Sequence, residues 1–234
     1  MTCARYPLVA LLALCLSTAF GQVSLGPRVG LAMSNVAFRV VEGPVLPGLD
    51  LSTEPHAGLL GGLIADIPVS AHVNLVPELG YLRRGFNERV PVSAQLPAGE
   101  LNNVLEYVEA SMSARFHIGR DKARPHFLAG VTWGHLLGVS QYYKVALGKK
   151  GSVTTHDPDD LDMARWNFGL CGGAGLTIVS GKNLLIVEGR YGHGLSGLWK
   201  ELLLTDTDGN KIAKLNGYDR SFQFSVSLVF PLRG

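Results

Sequence analysis

Cysteine, charge and long apolar runs are all scarce in this chain, and each shortage excludes something. Three cysteines occur in 234 residues, and two of them, Cys3 and Cys15, fall in the N-terminal 21 residues. Cys171 is left alone, so neither a disulfide framework nor a thiolate metal site is expected. Charged residues make up 17% of the chain, against about 25% in an ordinary soluble domain. Beyond the N-terminus no apolar run reaches the roughly 18–20 residues of a membrane-crossing helix. The seven histidines show no pair at metal spacing and no His-Glu-x-x-His. They read as rim or loop residues, and no cofactor is expected. No basic patch asks for nucleic acid.

What is present is apolar character spread thinly. Hydrophobic residues are 47% of the chain, mean hydropathy is +0.20, and 29 glycines run its whole length. The N-terminal MTCARYPLVALLALCLSTAFGQ has one cation, Arg5, an apolar stretch from about Leu8 to Phe20, and small residues at Ala19 and Gly21. This predicts a secretory signal peptide over 1–21, cut before Gln22, with 22–234 as a single domain. Its loss takes the formal net charge from +2 to +1.

From Gln22 onward the period is two. In VSLGPRVGLAMS the residues Val23, Leu25, Val29, Leu31 and Met33 alternate with Ser24, Gly26, Arg28, Gly30 and Ser34. HAGLLGGLIADIP is more evenly apolar. HVNLVPELGYLRRGF sets Leu79 and Tyr81 against Glu78. YVEASMSARFHI sets Met112 and Phe116 against Glu109 and Arg115. HFLAGVTWGH, WNFGLCGGAGLTIV, LLIVEGRYGHGL and SFQFSVSLVFPL continue the pattern. Eight such segments predict eight tilted strands, each long enough to cross a bilayer.

The connections sort by length. Those after strands two, four and six are short: DIPVSAH, GRDKARP and SGKN. The others run to roughly 16–25 residues. Short turns at one end and long loops at the other mark an outer-membrane barrel. Aromatics sort likewise. With the short turns in the periplasm, Phe116, Phe127 and Phe230 fall at the inner rim, and Tyr81, Trp133, Trp166, Tyr191 and Phe222 at the outer. Amphipathic rings favour both boundaries of a bilayer.

In hydrocarbon every backbone polar group must be paired, so strands cross only as a closed sheet. The expected fold is therefore all-β: an eight-stranded antiparallel up-and-down transmembrane β-barrel. Eight strands leave an interior that side chains fill. By parity Arg28, Glu78, Glu109, Arg115, Glu188 and Arg190 point into it. Three carboxylates and three guanidinium groups in so narrow a space predict a lumen ion-pair network. Arg83 and Arg84 are placed just beyond it, where strand three meets the outer polar layer.

The stretches VPELGYLRRGF, LEYVEASMSARF, PHFLAGVTWGHLLG, FGLCGGAGLTI and LLIVEGRYGHGLSGL resemble the outer-membrane β-barrel domain proteins of the Bacteroidetes type, often labelled porin-family. Glu78, Tyr81 and Gly85 fit the first family pattern. Tyr107 and Glu109 fit the second, with Ser111 where proline is usual. Glu188, Arg190 and Tyr191 fit the last. The resemblance spans about Val23 to Leu232 and implies an eight-stranded outer-membrane barrel without naming an activity.

The expected role is structural or interactive, as a monomer in outer-membrane lipid and lipopolysaccharide that reaches extracellular ligands through its loops. Three alternatives stand: a lipid-modifying hydrolase using His135 or His193, a narrow solute pore, and a soluble secreted barrel around an apolar ligand. DTDGN at 206–210 lacks the twelfth-position Glu of a calcium loop and reads as a turn. HDPDDLD reads as a solvated acidic loop. GGAG at 172–175 precedes no helix and is no phosphate loop. QYYKVALGKKGSVTTHD leaves room for a further hairpin, hence ten strands.

Overall fold

A computed structural model of the chain describes residues 23–43, 53–90, 99–119, 121–145, 153–200, 202–205 and 211–232. The expected signal peptide and the DTDGN turn lie outside them. Among the described residues ten strands run in chain order: β1 (Ser24–Glu42), β2 (Glu54–Pro68), β3 (Val73–Val90), β4 (Gly99–His117), β5 (Ala123–Val145), β6 (Val153–His156), β7 (Trp166–Ser180), β8 (Asn183–Gly194), β9 (Leu202–Thr205) and β10 (Lys211–Pro231). Every pairing is antiparallel.

Eight of these strands close a ring, in the order β1-β2-β3-β4-β5-β7-β8-β10, with β10 returning to β1. The seam runs from Ser24↔Pro231 to Glu42↔Lys214. The tenfold count resolves simply. β6 pairs only the upper end of β5, from Val139↔His156 to Tyr142↔Val153. β9 pairs only the upper end of β10. Both are ribbons raised above an eight-stranded barrel. The hairpin foreseen after Gln141 therefore forms without widening the ring.

The strands are longer than alternation suggested, and they grow at one end. β5 spans 23 residues and β10 spans 21, where about 9–11 suffice to cross hydrocarbon. β3 continues past Phe86 to Val90, and β4 begins at Gly99 rather than near Tyr107. The loops at this end are correspondingly shorter than the sequence implied. Above the apolar zone the outward face no longer needs apolar side chains, so the period-two signal ends before the strand does.

Parity holds through the apolar zone. Leu79, Met112 and Leu228 are exposed on the outer wall, whereas Glu78 and Arg190 are buried. The soluble alternative requires the reverse. All eight rim aromatics, Tyr81, Trp133, Trp166, Tyr191, Phe222, Phe116, Phe127 and Phe230, are exposed on the outer surface. Trp133 and Trp166 lie 5.2 Å apart, ring to ring, and Trp133 stacks on Phe168 at 6.0 Å. One bulge resets the parity of β5. Glu106 pairs Gly138 while Tyr107 pairs Leu136, so Leu137 is the extra residue. Beyond it Val139 turns inward and is buried.

Candidate functional site

The feature that distinguishes this barrel is its filled interior. Alternation puts one residue in two on the inner wall, and the ladder registers bring the inner residues of neighbouring strands level. Asp66 on β2 accepts from Arg115 on β4 and from Asn74 on β3. Glu188 on β8 accepts from Arg115 Nε at 3.0 Å and Nη2 at 2.7 Å. The ring of His126 on β5 lies 3.0 Å from the same carboxylate through Nε2, and its Nδ1 is 3.1 Å from the Thr177 hydroxyl on β7. Arg190 donates to Glu188 and, at 2.8 and 2.5 Å, to Glu78 on β3. Glu78 also accepts from Arg28 on β1 and from Ser111. Arg28 reaches Ser225 at 3.1 Å and Gln223 at 3.3 Å on β10. One continuous set of hydrogen bonds thus joins all eight strands of the ring.

A second, separate set lies nearer the long-loop end. Arg84 donates to Asp219 at 2.5 Å and to Glu109, and its guanidinium sits 5.7 Å from the Tyr107 ring. Above this level the filling turns apolar. Val36, Phe86, Leu105, Tyr107, Leu136, Val139, Met163 and Leu198 form a buried cluster, with Phe38, Leu161 and Trp199 packed on it. Trp199 stacks on Phe38 at 5.3 Å. Met163, Leu198 and Trp199 come from the segments flanking β7 and β8, of 15 and 12 residues, and a Met163↔Trp199 bridge joins those segments. The inner wall carries a cavity of about 30 Å³ beside Arg28, Glu78 and Glu109, room for a water or two.

The structure therefore brings Arg28, Glu78, Arg115, Glu188 and Arg190 together, and it places Glu109 in the second set. Three expectations need correction. Arg84 is an inner-wall residue, 5% exposed, rather than part of the outer polar layer. Arg83, its neighbour, does face outward and pairs with Glu106 at 2.6 Å. His126 is no rim or loop histidine: it is 1% exposed within the lumen, with His117 beside it at 5.6 Å. Asp66, which the sequence left in a turn, is a buried member of β2, and Asp219 was not singled out at all. A period-two count carried along β3 from Glu78 toward the long-loop end would have found Arg84; Asp66 and Asp219 carried no comparable signal. The hydrolase reading fares differently. His135 stands on β5 against Trp166 at 4.2 Å, and His193 stands on β8 level with Arg220. β7 separates the two, and the structure does not bring them together. Among the described residues no group of three or more His, Cys, Asp or Glu is placed to hold a metal ion.

The acidic HDPDDLD loop is less open than its composition suggests. Asp157 caps a short 3-10 helix, Pro158–Leu161, through the Asp159 N–H. Arg165 pairs with Asp157 and Asp159 at 2.6 Å each, and Lys200 reaches Asp159 at 2.6 Å. Lys200 and then Arg165 hold the Asp159 carboxyl down at about 2. A depressed carboxyl contributes in full above its ordinary value of 3.8 and loses that contribution as pH falls. This rim clasp should stay closed at pH 5 and open as pH falls toward 2. The Asp159 carboxyl shift, followed by NMR in detergent micelles, should show a midpoint near 2; a midpoint near 4 would mean that the clasp does not form in solution.

Comparison with known proteins places this architecture. The family model described as "Outer membrane protein beta-barrel domain" matches residues 17–199. Among solved structures, the chain is similar to the outer membrane protein OprG from Pseudomonas aeruginosa, at 10% identity over 92% of this chain and 98% of that one, with a TM-score of 0.52. It is similar also to Neisserial surface protein A, at 12% identity over 88% and 95%, with a TM-score of 0.43. A third is the outer membrane protease OmpT from Escherichia coli, at 9% identity over 90% and 97%, with a TM-score of 0.45. No curated protein matches the sequence. With the ring closed, the apolar face outward and most of its length matched, the chain belongs to the outer-membrane protein β-barrel domain family and resides in the outer membrane.

Proposed function

We propose that the protein acts as a plugged cylinder, a rigid non-catalytic platform that holds its outer ribbons and loops clear of the membrane for interaction. The observation that carries this reading is the continuous hydrogen-bonded set from Asp66 to Gln223, which touches every strand of the ring. A conducting pore needs a water path, and eight strands leave space that side chains occupy. Here the occupants are paired charges at mid-barrel and packed rings above. Rigidity follows from the same arrangement, because moving one strand would strip partners from buried charges. As a monomer the barrel needs no partner to cover an edge, since closure has removed the edges.

Planar-bilayer recording with purified refolded protein tests this. No discrete current steps are expected above the lipid baseline. Regular unitary steps would overturn the plugged reading and favour a narrow solute pore. The hydrolase reading draws no support from its two histidines, which stand on separate strands with β7 between them.

A further inference from the structure

The outer wall is not uniform above the aromatic girdle. On β8, β10 and β1 the row Tyr191–Phe222–Met33 is in register, one residue from each strand, all exposed. Two residues further out, on the same face, comes the row His193–Arg220–Asn35. Above that, Arg39 on β1 sits over the Tyr218 ring of β10 at 5.5 Å. Neither Arg220 nor Arg39 has a carboxylate partner among the described residues. Arg220 Nε is buried without any hydrogen-bond partner. The acid next to it in sequence, Asp219, points into the lumen and is taken by Arg84. The opposite wall contrasts with this. Arg83, the residue two beyond Tyr81, is neutralised by Glu106 at 2.6 Å.

We infer that this face of the barrel binds the phosphorylated headgroup of an outer-leaflet glycolipid, with Arg220, His193 and Asn35 on the phosphate nearest the membrane and Arg39 on an anionic group further out. Position supports it. A strand rises about 3.3 Å per residue, so Arg220 lies some 7 Å along the strand beyond Phe222, at the depth where headgroups begin. Charge supports it too, because a guanidinium matches phosphate in shape as well as sign and binds it through paired N–H donors. The acyl chains of such a lipid would lie down the apolar columns Met33–Leu31–Val29 and Phe222–Phe224–Val226, all exposed on the wall below. The inference uses the membrane placement of the barrel and is independent of whether the lumen conducts.

Native mass spectrometry of the detergent-solubilised full chain, titrated with diphosphoryl lipid A, tests it. The wild-type protein should bind diphosphoryl lipid A at least about tenfold more tightly than the dephosphorylated lipid. Arg39→Gln with Arg220→Gln should abolish that preference, and Arg83→Gln should leave it intact. Equal binding of the two lipids by the wild type, which needs no variant to fold, would overturn the inference. So would an unchanged preference in a double variant that still shows the gel shift of a folded barrel. Displacement of the lipid by millimolar inorganic phosphate would assign the site to free phosphate rather than to a lipid, and would overturn the lipid assignment.

Discussion

Glu188→Leu should destabilise the barrel by about 3–5 kcal/mol, the usual cost of removing one member of a buried ion-paired set. Glu188 is 1% exposed and accepts from two arginines and faces a third donor, His126. Leucine would leave Arg115, which is fully buried, with Asp66 as its remaining acid partner. Arg190 would keep Glu78 alone. Each guanidinium would then be buried with donors unpaired. Arg83→Leu sets the scale for comparison. That residue pairs with Glu106 on the outer wall with a side chain 45% exposed, and an exposed pair contributes at most about 1 kcal/mol. Unfolding in denaturant, followed by the shift between fast and slow gel bands, should show a large displacement for Glu188→Leu and little for Arg83→Leu. Equal midpoints for the two would show that the lumen set contributes no more than a surface pair.

The part of this molecule that touches lipid was legible in its sequence because hydrocarbon imposes one rule on it. Wherever a strand faces acyl chains, every second residue must be apolar, and the inward residue between is free to be polar. Arg28, Glu78, Arg115, Glu188 and Arg190 stood out for that reason. Asp66 stands two residues before Pro68, and His126 directly follows Pro125. Proline near a strand end reads as a turn, which puts Asp66 in the connection DIPVSAH and leaves His126 as the rim residue that opens its strand. Asp219 lies in KIAKLNGYDR, where the outward residues Lys214, Asn216, Tyr218 and Arg220 are polar or amphipathic because that stretch of β10 has already left the bilayer. The inward residues there, Ala213 and Leu215, are apolar and buried, so the alternation is reversed and gives Asp219 the wrong face. Arg84 illustrates a different limit. It stands six residues from Glu78 on the same face, but the adjacent Arg83 faces the other way, and a pair of arginines reads as a rim unless the strand is known to continue. The bulge at Leu137 was invisible for a similar reason: one extra residue in a strand leaves no mark of its own. The apolar plug depends on segments flanking β7 and β8, and which of those segments fold inward is decided by the heights of the strands, a tertiary property.

Gly26→Val should prevent the barrel from closing. Gly26 and Gly30 both lie on the inner face of β1, against β10. A Cβ at Gly26 would overlap the Leu228 carbonyl oxygen, and one at Gly30 would overlap that of Phe224. These are backbone atoms of the last strand, so no side chain can swing away to make room. β1 and β10 pair across nearly the whole length of the chain, and this seam is the one contact that turns a curved sheet into a ring. Held open, it would expose two strand edges to hydrocarbon, and each unpaired backbone group there costs several kcal/mol. The network would fail with it, because Arg28 and its acceptors Gln223 and Ser225 face one another across that seam. The expected result is loss of the fast-migrating unheated band and loss of the protein from outer-membrane fractions. Gly138→Ala is the matched control, because a Cβ there meets nothing within 4 Å, and it should fold as the wild type does. A Gly26→Val protein that inserts and keeps its gel shift would mean that the first and last strands do not approach as closely as the register requires, and the closed ring with its sealed interior would have to be redrawn.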